Sequence, residues 1–270
     1  MVDFTIKDHY KVDDLLRIME LLRGEGGCVW DREQDHHSIR NNFIEETYEA
    51  VEAIDREDPA LLQEELGDVL LQVVFHARME EEAGRFTFSD VCDGICKKLI
   101  YRHPHVFGDV SVENSSQVLE NWDKLKTVEK HQETAASTLE AVSKALPALV
   151  RAAKVQKRAG KVGFEYLALS DALGDLRSEI AELEEALSRE DAQDVFEEIG
   201  DVIFSAANVS RLLKADPEEA LSRSTEKFVR RFSRMEQLAE RPLAGCTVDE
   251  LNDLWREAKK EEKSIGGILK

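Results

Sequence analysis

Two pairs of acidic residues are spaced to hold a cation. Glu46 and Glu49 are three residues apart, and so are Glu65 and Asp68. On a helix, residues three apart lie on one face. Each pair falls at the edge of an apolar stripe, so two helices packed by those stripes would press all four carboxylates together. Four like charges in a part-buried place repel one another and are costly to desolvate. A bound cation removes that conflict. Oxygen-only ligands point to Mg²⁺, with Mn²⁺ as a substitute, and away from zinc. Four carboxylates exceed what one Mg²⁺ usually takes from protein, which leaves room for a second ion or for substrate phosphates.

The constellation occurs twice. Sliding the sequence against itself by 133 positions lays Glu46 and Glu49 on Glu179 and Glu182, and Glu65 and Asp68 on Glu198 and Asp201. The same offset carries Arg56-Glu57-Asp58 onto Arg189-Glu190-Asp191, Arg78 onto Arg211, Trp122 onto Trp255, and Lys126 onto Lys259. Two of the three tryptophans are among the matches, which chance does not give. The chain therefore reads as two copies of one unit: residues 1–130, a polar linker over 131–145, and residues 146–270.

A cation site for phosphate chemistry also needs groups that hold the phosphates. Trp122 with Lys126, and Trp255 with Lys259, would each set an indole and an ammonium on one helix face. An indole stacks on a base, and a lysine meets a phosphate. The plainer reading is a tryptophan that anchors the last helix of each unit. Further cations flank the second acidic pair: Lys157 and Arg158 before it, and Lys227, Arg230 and Arg231 after it. The sequence has no GxxxxGK[ST] phosphate loop, no HExxH, no His-Asp dipeptide and no GxSxG elbow.

The elements that must position these residues are helices. The spacing predicts one over residues 11–23, ended by Gly24, Gly26 and Gly27, and then a loop holding Cys28-Val29-Trp30-Asp31. A helix over 38–54 would present Phe43, Thr47, Ala50, Val51 and Ile54. The next begins at Asp58-Pro59, with Asp58 as N-cap and proline in the first turn. It would run to Glu82 and present Leu62, Leu66, Val69, Leu70, Val73 and Val74. Gly67 and Gly200 lie inside this helix and its copy, where glycine costs about 1 kcal/mol relative to alanine; close backbone approach beside the acidic site would account for them. A helix over 89–101 and a last segment carrying Trp122 complete the unit. Nothing alternates like a strand for long, so the fold class is all-α.

Composition limits the partners. Asp and Glu number 56 against 36 Lys and Arg, a formal charge of −20. Such a surface repels nucleic acid at long range and attracts divalent cations. No apolar run approaches the roughly 18 residues of a membrane span, and the start lacks a signal-peptide pattern. Cys28, Cys92, Cys96 and Cys246 form no CxxC pair. They read as reduced thiols of a cytoplasmic protein.

Several motifs together resemble the MazG family, the all-α nucleoside triphosphate pyrophosphohydrolases. Glu45-Glu46-Thr47-Tyr48-Glu49 followed by Glu64-Glu65-Leu66-Gly67-Asp68 resembles the family's EExxE…ExxD signature. Cys28-Val29-Trp30-Asp31 resembles GCPWD, with valine for proline, and Arg102-His103-Pro104-His105-Val106-Phe107 matches RHPHVF. Val162-Gly163-Phe164-Glu165-Tyr166 resembles VGFDW, with Glu and Tyr substituted. The resemblance implies Mg²⁺-dependent hydrolysis of nucleoside triphosphates of broad base range to monophosphate and pyrophosphate, in nucleotide-pool housecleaning. It also implies a homodimer whose paired hairpins form a four-helix core. Carried over by position, the metal ligands are Glu46, Glu49, Glu65 and Asp68, and again Glu179, Glu182, Glu198 and Asp201; Glu45, Glu46, Glu49, Glu179 and Glu182 would act in catalysis. The first signature glutamate is Glu45 in one copy and Ser178 in the other, which weakens the second site if that position orients water. The basic cluster points the other way, toward the second copy. Rival readings are a narrower pyrophosphohydrolase, for dUTP or phosphoribosyl-ATP, and a non-enzymatic module that senses metal or nucleotide.

Overall fold

The computed structural model describes residues 4–129, 134–189 and 191–266. Among them the chain is all helix and short connections, with no strand. It divides into two compact units, Met1–Lys126 and Thr127–Lys270.

In the first unit, α1 (Val12–Arg23), a short α2 (Val29–Glu33), α3 (Arg40–Asp55), α4 (Pro59–Glu82), α5 (Phe88–Arg102), a single turn α6 (Pro104–Phe107) and α7 (Ser115–Glu129) follow in order. The hairpin of α3 and α4 is its centre, and α1 and α5 pack on α4. The Asp58 side chain accepts from the backbone N–H of Ala60 and Leu61, at 3.0 and 3.1 Å, and Pro59 opens the helix as the sequence predicts. Of Cys28-Val29-Trp30-Asp31, expected in a loop, Cys28 is the N-cap of α2 and the other three lie in it.

The core of this unit is Met19, Ile39, Val74, Phe75 and Met79, with Leu15, Leu16, Leu70, Leu71 and Phe88 against it. The contact stripe of α3 is narrower than its apolar pattern. Ala50 and Ala53 are buried, whereas Val51, Ile54 and Thr47 are exposed. On α4, Leu66 is exposed as well. The hairpin thus carries apolar residues on two sides, and only one meets this chain. Gly67 and Gly200 do not mark a close approach within the chain: a Cβ at either meets nothing within 4 Å.

The second unit holds α8 (Ala135–Glu140), α9 (Ala148–Lys161), α10 (Leu169–Arg189), α11 (Ala192–Leu212), α12 (Pro217–Leu238), a 3-10 turn (Leu243–Gly245) and α13 (Val248–Gly266). The stretch read as a polar linker contains α8, capped by Thr134, and α8 packs on α9. Val142 just after it is buried. Of the linker, residues 131–133 lie outside the described residues, as does Lys130 before it.

The hairpin of α10 and α11 is central, with α9 against α11 and α13 against α12. Asp191 caps α11 by accepting from Gln193 N–H at 2.9 Å and Asp194 N–H at 3.3 Å, which repeats the Asp58 cap. Its buried residues are small: Ala172, Ala186 and Ala207, with Met235 and Ala258. Small side chains let the helices approach closely but bury little apolar surface. Among the described residues, no helix is long and apolar enough to cross a membrane.

Candidate active site

The helix hairpins gather the predicted carboxylates. Oxygens of Glu46 and Glu49 on α3 and Glu65 on α4 lie within 4.8 Å of one another, and those of Glu179 and Glu182 on α10 and Glu198 on α11 do the same. Burial raises the Glu46 carboxyl above the usual carboxylate range, and the charges of Asp68, Glu49 and Glu65 push it the same way. Burial likewise raises Glu179, with Glu182, Asp175, Asp201 and Glu198 adding to it. Glu65 and Glu198 are raised for the same reasons. Clustered carboxyls that resist ionisation, offering only oxygen, fit a hard divalent cation. Asp68 and Asp201 are close enough for their charges to be felt, but each stands outside its triad.

Glu45 faces outward and supplies no oxygen to the first triad. Its counterpart Ser178 touches the second triad directly, because its hydroxyl donates to Glu182 at 3.1 Å. In the second unit this position therefore orients a triad carboxylate.

The predicted basic and aromatic residues divide. Arg230 donates to Glu262 at 2.7 Å and Arg231 donates to the same carboxylate at 2.6 Å, so both clasp α12 to α13. The Arg158 guanidinium donates to the Thr138 carbonyl and ties α9 to α8. Trp255 packs on Phe228, ring centres 5.1 Å apart, which is the anchoring role. Trp122 is half-buried with the Arg102 guanidinium 5.1 Å from its ring centre. Lys157 and Lys259 are exposed and Lys227 is half-buried. The Lys126 side chain lies outside the described residues.

Beside the second triad the structure opens a cavity of about 540 Å³, within the size range of small-molecule sites. Glu179 belongs to both the triad and the cavity wall. Asp175, one turn before it, accepts from the Ser205 hydroxyl at 2.9 Å. Burial, and then the Asp175 carboxylate, raise the Tyr166 phenol above its ordinary value. Gly163, at φ 89, turns the chain out of α9 so that Phe164, Glu165 and Tyr166 return along the cavity. Arg211 donates to Glu165 at 2.5 Å and to the Asn208 Oδ1 at 2.7 Å.

The first unit differs at the matching positions. Arg23 stands where the second has Gln156, Gln72 where it has Ser205, and Phe75 where it has Asn208. The Arg23 guanidinium lies 5.3 Å from the Phe75 ring centre and donates to Glu82 at 2.8 Å. Phe75 is buried there as part of the core. Nearby, His36 meets His76 at 2.7 Å between Nδ1 atoms and Glu80 at 2.5 Å through Nε2. The cavity residues were not singled out from the sequence. The signal that could have found them was the divergence of Gln156, Ser205 and Asn208 from their copies inside an otherwise matching helix frame.

The MazG nucleotide pyrophosphohydrolase domain model matches residues 34–107 and 170–235, which contain both triads. The chain is 43% identical over 258 residues to the nucleoside triphosphate pyrophosphohydrolase of Escherichia coli (strain K12), covering 93% of this chain and 98% of that protein. It is 42% identical over 250 residues to the nucleoside triphosphate pyrophosphohydrolase/pyrophosphatase MazG of Thermotoga maritima, covering 92% of this chain and 95% of that one. Two acidic hairpins, each where the family model falls, and relatives matched nearly end to end lead to one conclusion: this chain belongs to the MazG nucleotide pyrophosphohydrolase family.

Proposed function

We propose that the protein hydrolyses nucleoside triphosphates of broad base range to the monophosphate and pyrophosphate, with Mg²⁺, and that the second unit is the working site. The observation that carries this reading is the sharing of Glu179 between a carboxylate triad and a nucleotide-sized cavity. Glu179, Glu182 and Glu198 would hold the ion, with Asp201 beside them and Ser178 fixing Glu182. When bound, Mg²⁺ supplies charge neutralisation for the phosphates and activation of the attacking water. The chain itself orients the nucleoside in the cavity, and Asp175 is held by Ser205 at the junction with the triad. Lys157, Lys227 and Lys259 remain as candidates for the departing pyrophosphate, since Arg158, Arg230 and Arg231 already have partners. The first unit keeps a triad but sets Arg23 on Phe75 at the positions that line the cavity in the second. This favours a structural or weaker catalytic role for it.

The uncovered side of each hairpin supports a homodimer. Val51, Ile54 and Leu66 in the first unit, and Leu187, Ile199 and Ile203 in the second, are exposed in the single chain. Apolar faces of this kind are usually interaction surfaces. The unpaired cysteines suit a cytoplasmic setting, and the charge of −20 weighs against a nucleic-acid partner.

The test is product identity. Each of the eight common nucleoside triphosphates is incubated with the protein and Mg²⁺, with and without chelator. Monophosphate and pyrophosphate in equal amounts, abolished by the chelator, are expected from several bases. Diphosphate and inorganic phosphate would overturn the reading. Turnover of a single triphosphate would favour the narrower enzyme, and binding without turnover would favour a sensor.

A further inference from the structure

The cavity beside Glu179 has a polar group that nothing among the described residues satisfies. Gln156 lies on α9 and is 7% exposed. Its Nε2 donates to the Phe204 carbonyl at 2.9 Å, while among the described residues its buried Oε1 has no hydrogen-bond partner. The amide cannot flip to relieve this, because Oε1 would then face the Phe204 carbonyl oxygen, acceptor against acceptor. An unpaired buried acceptor is costly, so a site that keeps one has a use for it. Asn208 on the same wall gives its Oδ1 to Arg211, which leaves its amide NH₂ to offer a ligand. Leu139, Val155, Ala159, Phe164 and Phe204 give the wall an apolar and aromatic side, and Glu165, Asp175, Glu179, Ser205 and Arg211 a polar one. Phe164 is 83% exposed although it lines the cavity, so its ring is open to stacking.

From this arrangement we infer that the cavity is the nucleobase site and that Gln156 selects bases whose inner edge carries an N–H donor. The inference rests on the second unit being the hydrolytic one. A flat ring stacks on the aromatic wall, its N–H meets Gln156 Oε1, and an adjacent acceptor can accept a hydrogen bond from the Asn208 amide. Each common base has an amino or imino N–H on its pairing edge, so this rule admits all of them. It rejects a base with no such donor. Breadth of base choice and a definite polar contact are then compatible.

The discriminating pair is ATP and purine riboside triphosphate, which differ in the 6-amino group alone. Both are assayed with Mg²⁺ in a Glu46→Gln background, so that only the second triad is intact. The expected result is a kcat/KM about tenfold to a hundredfold higher for ATP, matching the loss of one buried hydrogen bond. In Gln156→Leu the ratio collapses toward one. A ratio near one before that substitution overturns the inference, and so does a large ratio that survives it. Calorimetric binding of AMP and purine riboside monophosphate to the unsubstituted protein gives a second reading. It needs neither turnover nor a folded Gln156 variant, and equal affinities overturn the inference. If neither triphosphate yields pyrophosphate while the monophosphates still differ in affinity, the base site stands and the hydrolytic reading falls.

Discussion

At the residue scale, each triad contains two carboxyls whose pKa is raised by burial and by neighbouring carboxylates: Glu46 and Glu65 in the first, Glu179 and Glu198 in the second. Because Glu46, Glu65, Glu179 and Glu198 are all raised, a divalent ion must compete with protons that ordinary carboxylates would have released. The Mg²⁺ concentration for half-maximal activity should therefore begin to rise with falling pH before the ordinary carboxylate range is reached; a flat profile down to that range would contradict this origin. The same crowding opposes folding when no metal is present, since a raised carboxyl favours the folded state at low pH and disfavours it once ionised. Glu179→Gln should therefore melt above the unsubstituted protein in chelator and below it in saturating Mg²⁺. Ser178 acts through Glu182, so Ser178→Ala should weaken Mg²⁺ affinity about tenfold or more with little change in turnover at saturating metal. An unchanged metal requirement would leave Ser178 without that role.

At the element scale, what was legible in the sequence is the hairpin. Asp58-Pro59 set the start of α4 because side-chain capping and a fixed proline φ act locally, and Asp191 set α11 in the same way. Asp191→Ala should cost about 1 kcal/mol, read by denaturant titration, as expected for loss of an N-cap. The triads were legible in part: the spacing of three on α3 and α10 brings both glutamates of each helix to Glu65 or Glu198, whereas Asp68 and Asp201, three residues further along α4 and α11, stand outside.

Long-range pairing was not legible. Arg230, Arg231 and Arg158 looked like phosphate ligands by charge alone, but their partners Glu262 and Thr138 belong to other helices, which no local spacing reveals. The short helices α2 and α8 were missed because one follows Gly24, Gly26 and Gly27 and the other lies in a polar stretch, where capping by Thr134 starts the helix. The apolar stripe of α3 merged two faces, since periodicity reports hydrophobicity and not which neighbour covers it. In the first unit, burial and then the His36 neighbour lower the His76 pKa, against the opposing pull of Glu80. A depressed histidine favours folding above its ordinary pKa, about 6.5, and loses that contribution as pH falls through it. Hydrogen exchange in α4 should thus quicken between pH 7.5 and 5.5, and less so in His76→Gln.

At the scale of the whole molecule, the repeat has been kept in frame while its two copies have diverged in side chains. Both hold a triad, and the second pairs it with a cavity whose wall includes Gln156, Ser205 and Asn208. Both leave an apolar hairpin face uncovered, with Ile54 and Leu187 at equivalent positions and each 57% exposed. Sedimentation should give a dimer, and Ile54→Asp with Leu187→Asp should give monomers.

The central claim is that the second triad performs the hydrolysis. Its most direct test is Mg²⁺-dependent pyrophosphate release from Glu46→Gln and Glu179→Gln measured separately on the full chain. Loss of at least a hundredfold in Glu179→Gln, with Glu46→Gln retaining most of its activity, is the predicted result. The reverse pattern would contradict the account and move the chemistry to the first unit.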